Sequence, residues 1–124
     1  MGVIKVLVVD DHASVRQGIR MRLHQETDIV VAGEASDGAG AIELARTLRP
    51  DVVLVDLRLP DLDGLDVSRR LRCVAPSSAT IMLSLYDDGA NRARATAAGS
   101  VAFVSKREPV DTLVAAIRQA AAHG

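Results

Sequence analysis

The sequence predicts an α/β fold, a doubly wound parallel sheet, because short β-branched runs alternate five times with longer stretches of helical period. The short runs are almost continuously apolar, as strands covered on both faces are. The length, 124 residues, suffices for one buried core and is too short for two well-built ones. One domain over residues 1–124 is therefore expected.

The strands are expected at residues 5–9, 29–34, 52–55, 80–83 and 101–104. Apolar residues between them recur at three- and four-residue spacing: Val15, Ile19 and Leu23; Ala41, Leu44, Ala45 and Leu48; Val110, Leu113, Val114 and Ile117. Each set marks the inner face of a helix. Residues 87–99 are rich in alanine, with weak amphipathic contrast, so the fourth helix has the least apolar surface to anchor it.

Composition narrows the function. The chain is 48% hydrophobic and 25% charged, and no apolar run reaches the eighteen or so residues of a membrane helix. Met1 to Val6 lead straight into the first strand, leaving no room for a signal peptide. The single cysteine, Cys73, cannot form an intramolecular disulfide, and its helical setting suggests a partly buried thiol. A cytoplasmic location is expected. With 15 basic and 16 acidic residues the net charge is −1, which lacks the basic excess that nucleic acid demands.

In a doubly wound sheet, ligands sit beyond the carboxyl ends of the strands. Asp10 and Asp11 follow the first strand, Asp56 the third, Ser84 the fourth, and Ser105 and Lys106 the fifth. All are expected to converge at one sheet edge. Two carboxylates roughly 5 Å apart repel by about 3 kcal/mol at an effective dielectric near 20, more than two pKa units. Cations must balance them. Lys106 supplies one charge, and a hard divalent ion with oxygen ligands and several waters supplies two, which points to magnesium. Zinc is disfavoured, since the site offers no thiolate and the expected helix start directs His12 elsewhere. Simpler readings exist for each member: Asp11 as a helix N-cap, Asp56 as a loop residue beside the tight connection made by Pro60 and Gly64, Ser84 as a satisfied hydroxyl, Lys106 as a solvated amine, Phe103 as core.

Taken together, Asp10-Asp11, Asp56-Leu57-Arg58-Leu59-Pro60 with Gly64, then Ser84, Phe103 and Lys106, resemble the receiver domains of two-component response regulators, the CheY-like family, over essentially the whole chain. The resemblance implies a flavodoxin-like five-stranded sheet of order 2-1-3-4-5 with five helices. It implies that Asp56 accepts a phosphoryl group from a sensor histidine kinase, with Mg2+ held by Asp11, Asp56 and the backbone carbonyl of Arg58, and by Asp10 through water. Lys106 and Ser84 would bind the phosphoryl oxygens, and Phe103 would be the aromatic switch. From position alone, Arg58 and Tyr86, two residues beyond Asp56 and Ser84, are expected to flank the path of an attacking water and so to tune dephosphorylation. The chain would be a phosphoacceptor and not a conventional enzyme, capable of forming a homodimer on phosphorylation. Two departures stand out: Leu85 is larger than the residue the family often has there, and Pro109 lies two positions beyond the family's usual place, so no cis peptide is expected after Lys106.

Asp10-Asp11-His12 with Val15-Arg16, the segment Leu83 to Asp88, and Ala115 to Arg118 resemble the subgroup whose receivers precede a LuxR-type helix-turn-helix domain. DNA would then be reached only through an output domain absent from this chain; the alternative is a stand-alone regulator. A magnesium-dependent phosphatase with an aspartyl-phosphate intermediate is disfavoured, because such enzymes usually place the nucleophile after the first strand and carry a cap insertion. A nucleotide or flavin module is disfavoured because no glycine-rich loop follows the first strand.

Overall fold

The structure is a computed structural model that describes residues 2–85 and 89–123. Its elements are β1 (Ile4–Val9), α1 (Ala13–Leu23), β2 (Ile29–Ala35), α2 (Gly38–Leu48), β3 (Val52–Asp56), α3 (Gly64–Val74), β4 (Ala79–Ser84), α4 (Gly89–Ala97), β5 (Ala102–Ser105) and α5 (Val110–His123). The five strands are all parallel, in the order β2-β1-β3-β4-β5. This is the flavodoxin-like architecture expected from the sequence. Strand ends differ by a residue or so: Asp56 and Ser84 close their strands rather than following them, and β5 runs one residue later than expected.

Alternation along the strands divides the core into two layers. Val6 and Val8, Val52 and Leu54, Ile81 and Leu83, and Val104 pack with Ile19 and Leu23 of α1 and Leu113, Val114 and Ile117 of α5. Leu7 and Val9, Val53 and Val55, and Met82 pack on the other face with Ala41 and Ala45 of α2, Leu65, Val67 and Leu71 of α3, and Ala95. Leu7, Val8, Val53, Leu54, Ile81 and Met82 are all inaccessible to solvent, and a fully buried side chain of this size contributes about 1.5–3 kcal/mol. β1, β3 and β4 are thus interior. β2 is not: it is an edge strand, with Val30 exposed, because it has a neighbour on one side only.

Helix starts follow local polar chemistry. Asp37 caps α2 by accepting from Gly40 N at 2.7 Å, and Asp63 caps α3 by accepting from Leu65 N at 2.8 Å. Asp61, from the β3–α3 connection, accepts from Gly38 N and Ala39 N at 2.8 and 3.0 Å, tying that connection to the start of α2. At α1 the N-cap is His12, without a side-chain cap bond. Asp11 is therefore not the cap, and its carboxylate is left for other use. α4 forms from Gly89, with Ala95 its one buried residue and Ala98 buried just beyond it, a small-residue seam consistent with its weak pattern. Cys73 is exposed. The inner face of α3 is drawn by Val67, Leu71 and Val74, and Cys73 falls on the opposite side.

Gly64 is the tightest point near the strand ends. Its N–H donates to Leu57 O at 2.9 Å, and a Cβ built there would lie 2.4 Å from the backbone oxygen of Asp56 and 2.8 Å from Leu57 Cα. No L side chain fits without moving the backbone that carries Asp56. Gly64→Ala is expected to destabilise the fold by about 1–3 kcal/mol, in the range of overpacking. Gly18 sits on the exposed side of α1 with nothing within 4 Å of a built Cβ, so Gly18→Ala should stabilise by about 0.5–1 kcal/mol. Urea unfolding of both variants checks the pair; equal midpoints would refute the close approach at Gly64.

Candidate functional site

The carboxyl ends of β1, β3, β4 and β5 bring Asp11, Asp56, Ser84 and Lys106 to one cleft, with Asp10 buried behind them. The cleft has a volume of about 490 Å³ and is also lined by His12, Ser14, Val15, Arg58 and Leu85. Parallel register places the strand ends level: Val9 stands opposite Val55, Asp56 opposite Leu83, and Ser84 opposite Ser105.

Asp10 is fully buried. Its Oδ1 accepts from the backbone N–H of His12 at 2.9 Å, and its Oδ2 accepts from Lys106 Nζ at 2.6 Å. The same ammonium lies 3.1 Å from Asp56 Oδ2. Lys106 is itself anchored, its backbone N–H donating to Ser84 O at 2.8 Å. Asp56, 6% exposed, turns its other oxygen to the backbone N–H of Arg58 at 3.2 Å. One cation therefore joins the ends of three strands.

Burial pushes the Asp56 carboxyl above its ordinary range, and the nearby charge of Asp10 adds to the rise; Lys106 and the Arg58 N–H oppose it without cancelling it. Sequence reasoning blamed crowding among carboxylates for this strain. Desolvation is the larger cause. Burial pulls Lys106 down, but its hydrogen bond to Asp10 and the charges of Asp56 and Asp10 outweigh that, leaving it raised and the ammonium firmly protonated.

His12 departs from expectation. Because it is the N-cap, with extended backbone at φ −91° and ψ 112°, its ring swings back over the loop. His12 Nδ1 lies 3.1 Å from Asp11 Oδ1 and 3.3 Å from Asp10 Oδ1. Asp10, Asp11, His12 and Asp56 each offer a ligand atom, all within 4.8 Å of one another. Three carboxylates with one ammonium, which reaches only Asp10 and Asp56, leave an excess of negative charge that suits a divalent cation with oxygen ligands such as Mg2+. The donor set fits that ion.

Two residues to which sequence reasoning assigned no role at the site, Arg16 and Glu34, hold the β1 end in place. Arg16 of α1 donates through Nη1 to the backbone oxygen of Asp10 and through Nε to Glu34 Oε1 at 3.2 Å, and Arg20 also pairs with Glu34. An arginine one turn into the helix after Asp10-Asp11 was the available signal. Phe103 stands half-buried against the α2–α4 layer. Strand parity puts it on the same sheet face as Met82 and Ser84, and Arg92 of α4 lies 4.9 Å from its ring centroid. Leu85 is exposed on the cleft wall. Tyr86 lies outside the described residues. Among the described residues there is no cis peptide, consistent with the displaced Pro109.

The family model for the response regulator receiver domain matches residues 6–118. Among curated proteins, the response regulator GacA of Pseudomonas aeruginosa is 37% identical over 94% of this chain and 54% of its own length. The response regulator VraR of Staphylococcus saprophyticus is 37% identical over 94% of this chain and 56% of its own. The chain thus spans about half the length of these relatives. Among solved structures, the receiver domain of NarL from Mycobacterium tuberculosis superposes with a TM-score of 0.94 at 32% identity, covering 98% of both chains. A LuxR-family response regulator from Aurantimonas gives 0.93 at 30% identity, covering 98% of this chain and 87% of the other.

The raised Asp56 carboxyl carries a stability consequence. Its folded pKa exceeds the unfolded value, so the native state binds more protons between the two, and stability falls as pH rises through that window. At neutral pH the ionised group remains a net cost to the metal-free protein. Asp56→Asn is therefore expected to melt at a higher temperature than the wild type in EDTA at pH 7, with the gap closing as the pH falls below the unfolded carboxyl pKa. A wild type that melts higher at pH 7 would contradict the electrostatic account.

Proposed function

The chain belongs to the response regulator receiver domain family, and from that premise we propose that it takes a phosphoryl group on Asp56 from the phosphohistidine of a sensor kinase. The observation that carries this reading is the double contact of Lys106 with Asp10 and Asp56 inside a cleft lined by Asp11, Arg58 and Ser84. An Asp56 oxygen attacks phosphorus, the P–N bond to the kinase histidine breaks, and the acyl phosphate forms. Lys106 and the N–H groups at the strand ends offset the negative charge on the transferring oxygens. Mg2+, bound through Asp11, Asp56 and the Arg58 carbonyl, with Asp10 reached through a water, would add the remaining positive charge that this transfer requires. The domain contributes its own carboxylate as acceptor and is modified in the process, so it is a phosphoacceptor rather than a conventional enzyme.

Once modified, Asp56 carries a phosphoryl group of charge about −2 in place of its single carboxylate charge, with strong acceptor oxygens. Ser84 lines the same cleft and can donate to one of them. Phe103 lies on the same sheet face two residues before the partner of Ser84 in the β4–β5 register, so movement at Ser84 reaches the ring and α4. Arg58 lines the cleft beside Asp56 and is placed to influence an attacking water. The output we assign is transcriptional, through a DNA-binding domain beyond these residues, because the similar Aurantimonas protein is a LuxR-family regulator. The chain's own charge of −1 lacks the basic excess that phosphate contacts with DNA demand.

Incubation with a small phosphoramidate and Mg2+ should add one phosphoryl group by intact mass, and none with Asp56→Asn, whose amide cannot form the acyl phosphate. Equal labelling of the variant would overturn the assignment. Saturation with Mg2+ should stabilise the fold by about 2.7 kcal/mol at a hundredfold excess over its Kd, and Asp11→Ala should remove most of that gain. Melting indifferent to Mg2+ would refute the metal site.

A further inference from the structure

We propose that His12 is an additional metal ligand at this cleft and that it gives the site a preference for nitrogen-accepting transition ions such as Co2+ or Zn2+ over Mg2+. The inference rests on the reading that Asp11 and Asp56 hold a divalent cation. It goes beyond that reading because the added donor decides which cation is held best.

The geometry divides the carboxylate oxygens between two partners. The Oδ2 atoms of Asp10 and Asp56 face Lys106 at 2.6 and 3.1 Å. The Oδ1 atoms of Asp10 and Asp11 face the His12 ring, with Nδ1 at 3.3 and 3.1 Å. Adjacent ligands around an ion with bonds of about 2.1 Å lie about 3.0 Å apart in an octahedral shell and about 3.4 Å apart in a tetrahedral one. The His12 and Asp11 atoms already stand at such an edge. Asp56 lies within the same 4.8 Å group, so a small closing movement completes a set of the Asp11 and Asp56 carboxylates and one imidazole, with Asp10 reached through a water.

The backbone favours this arrangement. The His12 N–H is fixed on Asp10 Oδ1 at 2.9 Å, which pins the residue at the cleft mouth, and the side chain is 66% exposed. Without a metal, Nδ1–H donates to the carboxylates it faces; the exposed ring can pass that proton to Nε2 in water, so that Nδ1 offers its lone pair to an incoming ion. Carboxylate and water suit Mg2+, whereas imidazole suits Zn2+, Ni2+ and Cu2+, and affinity at mixed nitrogen and oxygen sites rises toward the end of the first row. A site with His12 should thus separate the two classes of ion, where carboxylates alone separate them less.

Calorimetric titrations of Co2+ and Mg2+ into the metal-free chain, its His12→Ala variant and its Asp11→Ala variant test this. The wild type should bind Co2+ more tightly than Mg2+, and His12→Ala should reduce that preference by about tenfold or more, with a shift in the visible bands of bound cobalt. Asp11→Ala should weaken both ions. An independent readout needs no variant: Zn2+ should move the imidazole 15N resonances of His12 in the wild type, while Mg2+ should leave them in place. If both ions bind and the preference and the His12 resonances are unchanged, the metal site stands and the role of His12 is refuted. If neither ion binds the wild type, both the site and this inference fall.

Discussion

Lys106 places one ammonium 2.6 Å from Asp10 and 3.1 Å from Asp56, and the arrangement of the cleft depends on that charge. Asp10 is fully buried and Asp56 nearly so; without a cation between them, two carboxylates would share a poorly solvated strand edge. Removing one partner from a buried ion pair typically costs about 3–5 kcal/mol, because the other is left uncompensated. The three strand ends are joined by this contact, yet Asp56 still lies above its usual range. The site therefore holds an unfavourable charge that a bound cation relieves. A carboxylate of this kind, buried but accessible from a cleft, is suited to be altered rather than left alone.

The second constraint is backbone fit. Gly64 leaves no space for a Cβ against Asp56 and Leu57, while Asp61 and Asp63 turn the connection after β3 and bind it to the starts of α2 and α3. On the β1 side, Arg16 grips the Asp10 carbonyl and Glu34 together. Both arms of the acidic cluster are thereby held by elements outside it. The β4–β5 side is more lightly packed: α4 rests on Ala95 and Ala98, and Phe103 is only half-buried against the core, with Arg92 over its ring. Rigid acceptor and lightly packed neighbour are what a charge-driven change of surface requires.

Much of this was legible in the sequence, for a physical reason. Interior parallel strands must be continuously apolar, so Val6 to Val9, Val52 to Val55 and Ile81 to Leu83 announce themselves, and the first polar residues after them fall at one edge. Asp10, Asp56, Ser84 and Lys106 were found that way. What escaped depends on local backbone direction. His12 follows two aspartates, but only its place as N-cap rather than helical residue turns the ring toward them. Cys73 is exposed where a partly buried thiol was expected, because Val67, Leu71 and Val74 set the inner face of its helix. The half-exposed β2 could not be told from an interior strand by its apolar run; only the strand order that the family resemblance implied put it at the edge. Arg16 and Asp61 each act through two hydrogen bonds to residues outside their own elements, which leave no periodic trace.

The central claim is that Asp56, rather than a neighbouring carboxylate or histidine, carries the phosphoryl group. An acyl phosphate can be reduced by borohydride, which converts the phosphorylated aspartate into homoserine and marks its position permanently. After treatment with a phosphoramidate and Mg2+, peptide sequencing by mass spectrometry should find homoserine at position 56 and aspartate at positions 10 and 11. Homoserine at either of those positions, or phosphate retained on another residue with aspartate intact at 56, would contradict the account.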